Sequence, residues 1–170
     1  ETEWGRTRGR NRSASIFYGT KECLFAALTR NIMEKVVVNS DRAPEPVGAY
    51  PHARRVGNVL YLSGVGPRER GTKVIPGVTL GEDGSIVNYD ITEQTLSVFR
   101  NIRFILEDAG SAWENIFDVQ VYLTDMDRDF ATFNALYAKH LEGVQACRTT
   151  IEIGALPTPI AVELKVLATI

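Results

Sequence analysis

The chain has 170 residues, 44% hydrophobic and 24% charged, with a formal net charge of −2 at pH 7. These values describe one globular domain with a real core, and with no run of about 18 apolar residues they exclude a helical membrane span. Cys23 and Cys147, with His52 and His140, fall at spacings that exclude a disulfide framework and a zinc-ligand set. No metal is expected, and a cytoplasmic, reducing compartment is.

Charge is spread unevenly. Of the 19 basic and 21 acidic residues, six basic (Arg6, Arg8, Arg10, Arg12, Lys21, Arg30) and three acidic (Glu1, Glu3, Glu22) fall in residues 1–32, leaving 13 and 18 beyond. The expected organisation is a leader over 1–32 and a folded domain over 33–170. The leader reads as a non-native extension, expression-derived or read-through, ahead of a start at Met33. Its arginines and serines also resemble a mitochondrial transit peptide, a reading that Glu1 and Glu3 oppose. A short helix around 21–29 is its one predicted element. The acidic domain argues against nucleic acid as a partner, because phosphate binding draws its affinity from clustered lysine and arginine.

Within the domain, Val36-Val37-Val38 predicts a first strand, ended by the polar, proline-rich stretch from Ser40 to Pro46. Residues 54–56 and 58–63, around Gly57-Asn58, predict a β-hairpin. Residues 64–90 read as a long loop punctuated by glycine and proline, with Arg68, Arg70 and Lys73 in it and a turn at Glu82-Asp83-Gly84-Ser85. Asp90 or Thr92 then caps a helix whose apolar positions Leu96, Phe99, Ile102, Ile105 and Leu106 recur at helical spacing, with Gly110 as its stop. A strand over 116–123 follows, with Val119, Val121 and Leu123 on one side. Asp125 or Asp127 opens a second helix through His140 with an apolar stripe of Phe130, Phe133, Leu136, Tyr137 and Leu141. The predicted order β-β-β-α-β-α-β-β gives an α+β fold, a single sheet with two helices packed on one face.

The chain ends in two β-branched segments, 147–153 and 160–166, separated by Gly154 and Pro157-Thr158-Pro159. They read as strands joined by a tight connection, and if they pair, Arg148 and Glu163 share a face. Pattern alone makes such a pair a surface ion pair worth about 0–1 kcal/mol more often than a site.

Five features, in order, carry a resemblance. They are Gly48-Ala49-Tyr50, Leu62-Ser63-Gly64, Asn134 in Phe133-Asn134-Ala135, Arg148 in Cys147-Arg148-Thr149-Thr150, and Glu163 after Leu156-Pro157. From about Met33 to Ile170 the chain resembles the RidA (YjgF) family of imine and enamine deaminases. Cys147-Arg148-Thr149-Thr150, with Thr150 in place of a frequent cysteine, Leu156-Pro157-Thr158-Pro159-Ile160-Ala161 and the long, arginine-bearing 64–90 loop together make it most like the 2-aminomuconate deaminase branch. The resemblance implies a chorismate-mutase-like subunit and a homotrimer with active sites between subunits.

It also implies hydrolytic removal of an amino group from an enamine or imine acid, with no cofactor. Arg148 is expected to bind the substrate carboxylate through its planar fork, and Glu163 to act as general base toward water and then as acid toward ammonia. Tyr50, Ser63, Asn134 and Thr150 would supply neutral hydrogen bonds, and Arg68 or Arg70 would meet the second carboxylate of a diacid. Arg148 is expected to oppose the rise that burial imposes on the Glu163 pKa. Two other functions fit the same cleft: a broad-specificity 2-imino-acid deaminase and a non-catalytic regulatory module that binds small acids.

Overall fold

The computed structural model describes residues 35–170; the 1–32 leader and the helix expected around 21–29 lie outside the described residues. The first hairpin forms as its residues dictate. β1 (Lys35–Val38) pairs with β2 (Ala53–Val56), which turns at Gly57, φ 63°, into β3 (Val59–Leu62).

The region read as one long loop contains a hairpin of its own, β4 (Val78–Leu80) and β5 (Ile86–Tyr89), which forms a separate two-stranded sheet. Its tip is the predicted Glu82–Ser85 turn, where Asp83 accepts hydrogen bonds from the Ser85 amide and hydroxyl. The short strands alternate weakly and sit among glycines, so their pattern was too faint to separate from loop.

α1 (Ile91–Asp108) is capped by Asp90 rather than Thr92: its carboxylate accepts from the amides of Thr92 at 2.7 Å and Glu93 at 3.3 Å. Gly110 ends it at φ 78°, and the Ser111 amide returns to the Leu106 carbonyl at 2.8 Å. A short 3₁₀ turn (Trp113–Asn115) leads into β6 (Ile116–Leu123). α2 (Met126–Leu141) is capped by Asp125, and Glu152 accepts from the Met126 amide at 2.7 Å, so two carboxylates face the positive end of this helix.

β7 (Cys147–Glu152) and β8 (Val162–Thr169) complete a six-stranded sheet in the order β1-β2-β3-β8-β6-β7. This corrects the expected hairpin: β7 and β8 do not pair. β6 lies between them, antiparallel to β8 and parallel to β7. A parallel pair needs a crossover rather than a tight turn, and α2 supplies it.

Both helices cover one face. Val98, Phe99, Ile102, Ile105 and Leu106 of α1, with Phe133 of α2, meet Leu60, Leu62, Val119, Val121, Leu123, Leu164 and Val166 of the sheet in the buried core. Among the described residues, no element packs on the opposite face. That face presents Val37, Val56, Tyr61 and Ile151, each at least 36% exposed, together with Tyr122, Leu167 and Lys165.

Candidate active site

Register fixes which face each terminal side chain takes. Arg148 aligns with buried Val119, so it points to the helix side; Glu163 aligns with Tyr122, so it points to the open side. The expectation that the two share a face is therefore corrected, because the intervening strand removes direct pairing. The predicted residues fall into two groups within the chain.

The first group surrounds Glu163. β3 runs beside β8 with Tyr61 opposite Leu167, but Val65 bridges Leu164, so the β3 side carries one extra residue between the two pairs. This bulge brings Gly64 against the carboxylate: a Cβ there would fall 2.7 Å from Glu163 Cδ and collide with Oε1. The close approach is the reason for glycine at position 64. Glu163 is half-buried in a solvent-open cleft of about 320 Å³ with Val47, Tyr50, Gly64, Gly66, Arg68, Pro157, Thr158 and Ile160. Burial raises its pKa above the usual carboxylate value, and the Arg68 charge opposes the rise. Among the described residues, Arg68 rather than the expected Arg148 is thus the countercharge to Glu163.

Tyr50, Gly64, Gly66 and Arg68 also border an adjoining pocket that Ser63 and His52 line. Ser63 points its hydroxyl elsewhere, donating to the Pro51 carbonyl at 2.7 Å. His52 is buried; its Nδ1 accepts from the Ser40 amide at 3.0 Å and its Nε2 faces the Pro44 carbonyl at 2.8 Å, the pairing that suits a ring hydrogen on Nε2. It therefore ties the Ser40–Pro46 segment over the pocket, a role for which the sequence carried no signal. The two loop arginines separate here. Arg70 donates to the Ser40 and Ala43 carbonyls and pairs with Glu45 at 3.4 Å, whereas Arg68 gives one bond to the Glu45 carbonyl at 2.6 Å and lines the cleft.

The second group surrounds Arg148 on the other face. Arg148 Nη1 donates to Asn134 Oδ1 at 2.8 Å, and its guanidinium lies 4.6 Å from the centre of the Tyr137 ring. Thr150, two residues along β7, faces the same side; its hydroxyl is buried without a hydrogen-bond partner among the described residues. Sequence reasoning placed Tyr137 in an apolar stripe and missed its contact with Arg148. Cys147 is exposed on the open side. Among the described residues, no group of three metal-ligating side chains occurs, and no helix is long and apolar enough to cross a membrane.

This is an α+β chain with a carboxylate cleft on one side of its sheet and an arginine–asparagine pair on the other. The family model described as endoribonuclease L-PSP matches residues 40–170, and the chain belongs to that family, which is the RidA family. It is 35% identical over 136 residues to a RutC family protein of Pyrococcus abyssi, covering 80% of this chain and 98% of that one. It is 30% identical over 148 residues to the chloroplastic protein named Reactive Intermediate Deaminase A of Arabidopsis thaliana, covering 86% and 73% of the two chains. The crystal structure of yeast Mmf1 superposes with a TM-score of 0.69 at 30% identity, covering 80% of this chain and 98% of that one.

Proposed function

We propose that this protein is a cofactor-independent hydrolytic deaminase of an enamine or imine acid, that 2-aminomuconate is its substrate, and that it works in the cytosol as a homotrimer. The observation that carries the reading is the division of the site: a half-buried carboxylate beside Arg68 on one face, and an arginine held by Asn134 on the other. Each half lacks what the other supplies. Assembly through the open sheet face, with Arg148 of one subunit meeting Glu163 of the next, gives a complete site and covers the apolar side chains of that face.

In the completed site Arg148 binds the C1 carboxylate through two parallel N–H bonds. The enamine takes up a proton at carbon to become an iminium, and C2 becomes electrophilic. Glu163 accepts a proton from water as the water oxygen bonds to C2, giving a carbinolamine. It then returns the proton to nitrogen; the C–N bond breaks, ammonia leaves, and the hydroxyl proton is lost as the carbonyl forms. The sum is 2-aminomuconate plus water giving 2-oxohex-3-enedioate plus ammonia. Tyr50, Asn134 and Thr150 orient substrate and water. The raised Glu163 pKa suits an acid and base used in turn.

Arg68, in the Glu163 cleft, is the residue to meet the second carboxylate of a diacid, and Arg70 is committed to the Ser40 and Ala43 carbonyls and the Glu45 side chain. A broad 2-imino-acid deaminase is the second reading, favoured by the relative named Reactive Intermediate Deaminase A. Ammonia release from 2-aminomuconate and from 2-iminopropionate, with wild type, Arg148→Ala and Glu163→Ala, tests both. Loss of turnover in both variants with preference for the diacid supports the reading; equal rates in all three proteins refute it, and binding without turnover in wild type leaves the regulatory module.

A further inference from the structure

Phe130, Asn134 and Tyr137 stand at positions i, i+4 and i+7 of α2, so they form one column on its surface. Arg148 lies across that column. Its guanidinium carbon is 4.6 Å from the Tyr137 ring centre and 5.9 Å from that of Phe130, while Nη1 bonds Asn134 at 2.8 Å. The face of an aromatic ring carries partial negative charge and attracts the cation, and a planar guanidinium can stack on it as an ammonium cannot.

The strand that bears Arg148 gives it little other support. β7 is an edge strand, and five of its six residues are exposed. An exposed arginine samples many rotamers, and fixing it during binding weakens affinity; fixing it beforehand removes that loss. The Tyr137 hydroxyl is not the group that does so. It is buried and has no hydrogen-bond partner among the described residues.

We infer that Tyr137 is the positioning residue for Arg148: its ring, with Phe130 as a second support, holds the guanidinium while Asn134 fixes one edge, leaving the remaining fork free for a carboxylate. The inference rests on the carboxylate-binding role proposed for Arg148 and adds to it a residue that acts only through that arginine.

The test is the affinity of the full chain for pyruvate against its uncharged analogue pyruvamide, by titration calorimetry, in wild type, Tyr137→Phe, Tyr137→Leu and Arg148→Ala. Tyr137→Leu is expected to reduce the preference for the carboxylate about 3- to 30-fold, with pyruvamide affinity little changed, and to raise KM more than it lowers kcat in ammonia release. Tyr137→Phe restores the preference. General damage to the fold weakens both ligands together, so the ratio isolates the effect on Arg148. An unchanged ratio in Tyr137→Leu, or an equal loss in Tyr137→Phe, overturns the inference. If Tyr137→Leu does not fold, Tyr137→Met, a helix-compatible side chain of similar reach, replaces it. Arg148→Ala separates the two levels: if it keeps the carboxylate preference, the role proposed for Arg148 is wrong, whereas loss there with no effect at Tyr137 refutes the positioning alone.

Discussion

Arg148 and Glu163 project from opposite faces of one sheet, and β6 separates the strands that carry them. If the site is shared between subunits, two inactive variants must complement. Arg148→Ala and Glu163→Ala, each near background alone, should after refolding together recover about one quarter of wild-type ammonia release, the statistical share of interfaces with both intact halves. A mixture that stays at background would place both functions in one chain.

Glu163→Gln should lower kcat by roughly 10²–10⁴, the usual contribution of a positioned acid and base. Stability should move the other way. The folded-state pKa of Glu163 is raised from 4.5, so its favourable contribution is complete below 4.5 and is lost as pH rises through the folded value. At pH 7 the glutamine variant should therefore melt above wild type, with the gap closing on acidification below 4.5. Melting curves from pH 3 to 8 check this.

Arg68 lowers the Glu163 pKa against the effect of burial. Without that charge the carboxylate holds its proton to higher pH, so Arg68→Gln should shift the acidic limb of the kcat/KM profile upward. The same variant should lose selectivity for a diacid over a monoacid enamine, whereas Arg70→Gln should keep it. A profile and a selectivity unchanged in Arg68→Gln would remove this residue from the site.

Gly64→Ala adds a methyl where the Glu163 carboxylate lies. The side chain must swing away, and a displacement of about 1 Å commonly costs on the order of 10²-fold in rate. Turnover should fall by that order while the circular dichroism spectrum stays that of wild type. Retained turnover would mean that the carboxylate works from another position.

Tyr89 of β5 donates its hydroxyl to Asp129 of α2 at 2.7 Å; Asp129 is 1% exposed, and Arg128 stacks on the Tyr89 ring at 3.8 Å. Burial, and after it the bond to Asp129, pushes the tyrosine up to about 12. Tyr89→Phe leaves a buried carboxyl without that donor and should destabilise the fold by about 1–3 kcal/mol in urea melts. A smaller change would show that the second hairpin is held by the arginine stack instead.

Local chemistry was readable residue by residue. Asp90 and Asp125 cap their helices, Gly57 and Gly110 take the left-handed conformations that end their elements, and Val119, Val121 and Leu123 bury one side of β6, because each depends on neighbours within a few positions. The same holds for the chemical identities of Arg148, Asn134, Glu163 and Tyr50, which a family resemblance could align in order.

Sheet order was not readable. Insertion of β6 between β7 and β8 depends on non-local hydrogen bonds and on α2 acting as a crossover, and strand sequence does not record its partner. By itself, the sequence determined the elements, their caps and the residue types able to do carboxylate and proton chemistry. Only the tertiary structure decided that Arg148 and Glu163 face opposite ways, that Arg68 rather than Arg148 is the cation beside Glu163, and that Tyr137 lies under Arg148. A side chain's face and its distant neighbours are set by register and packing across the whole sheet.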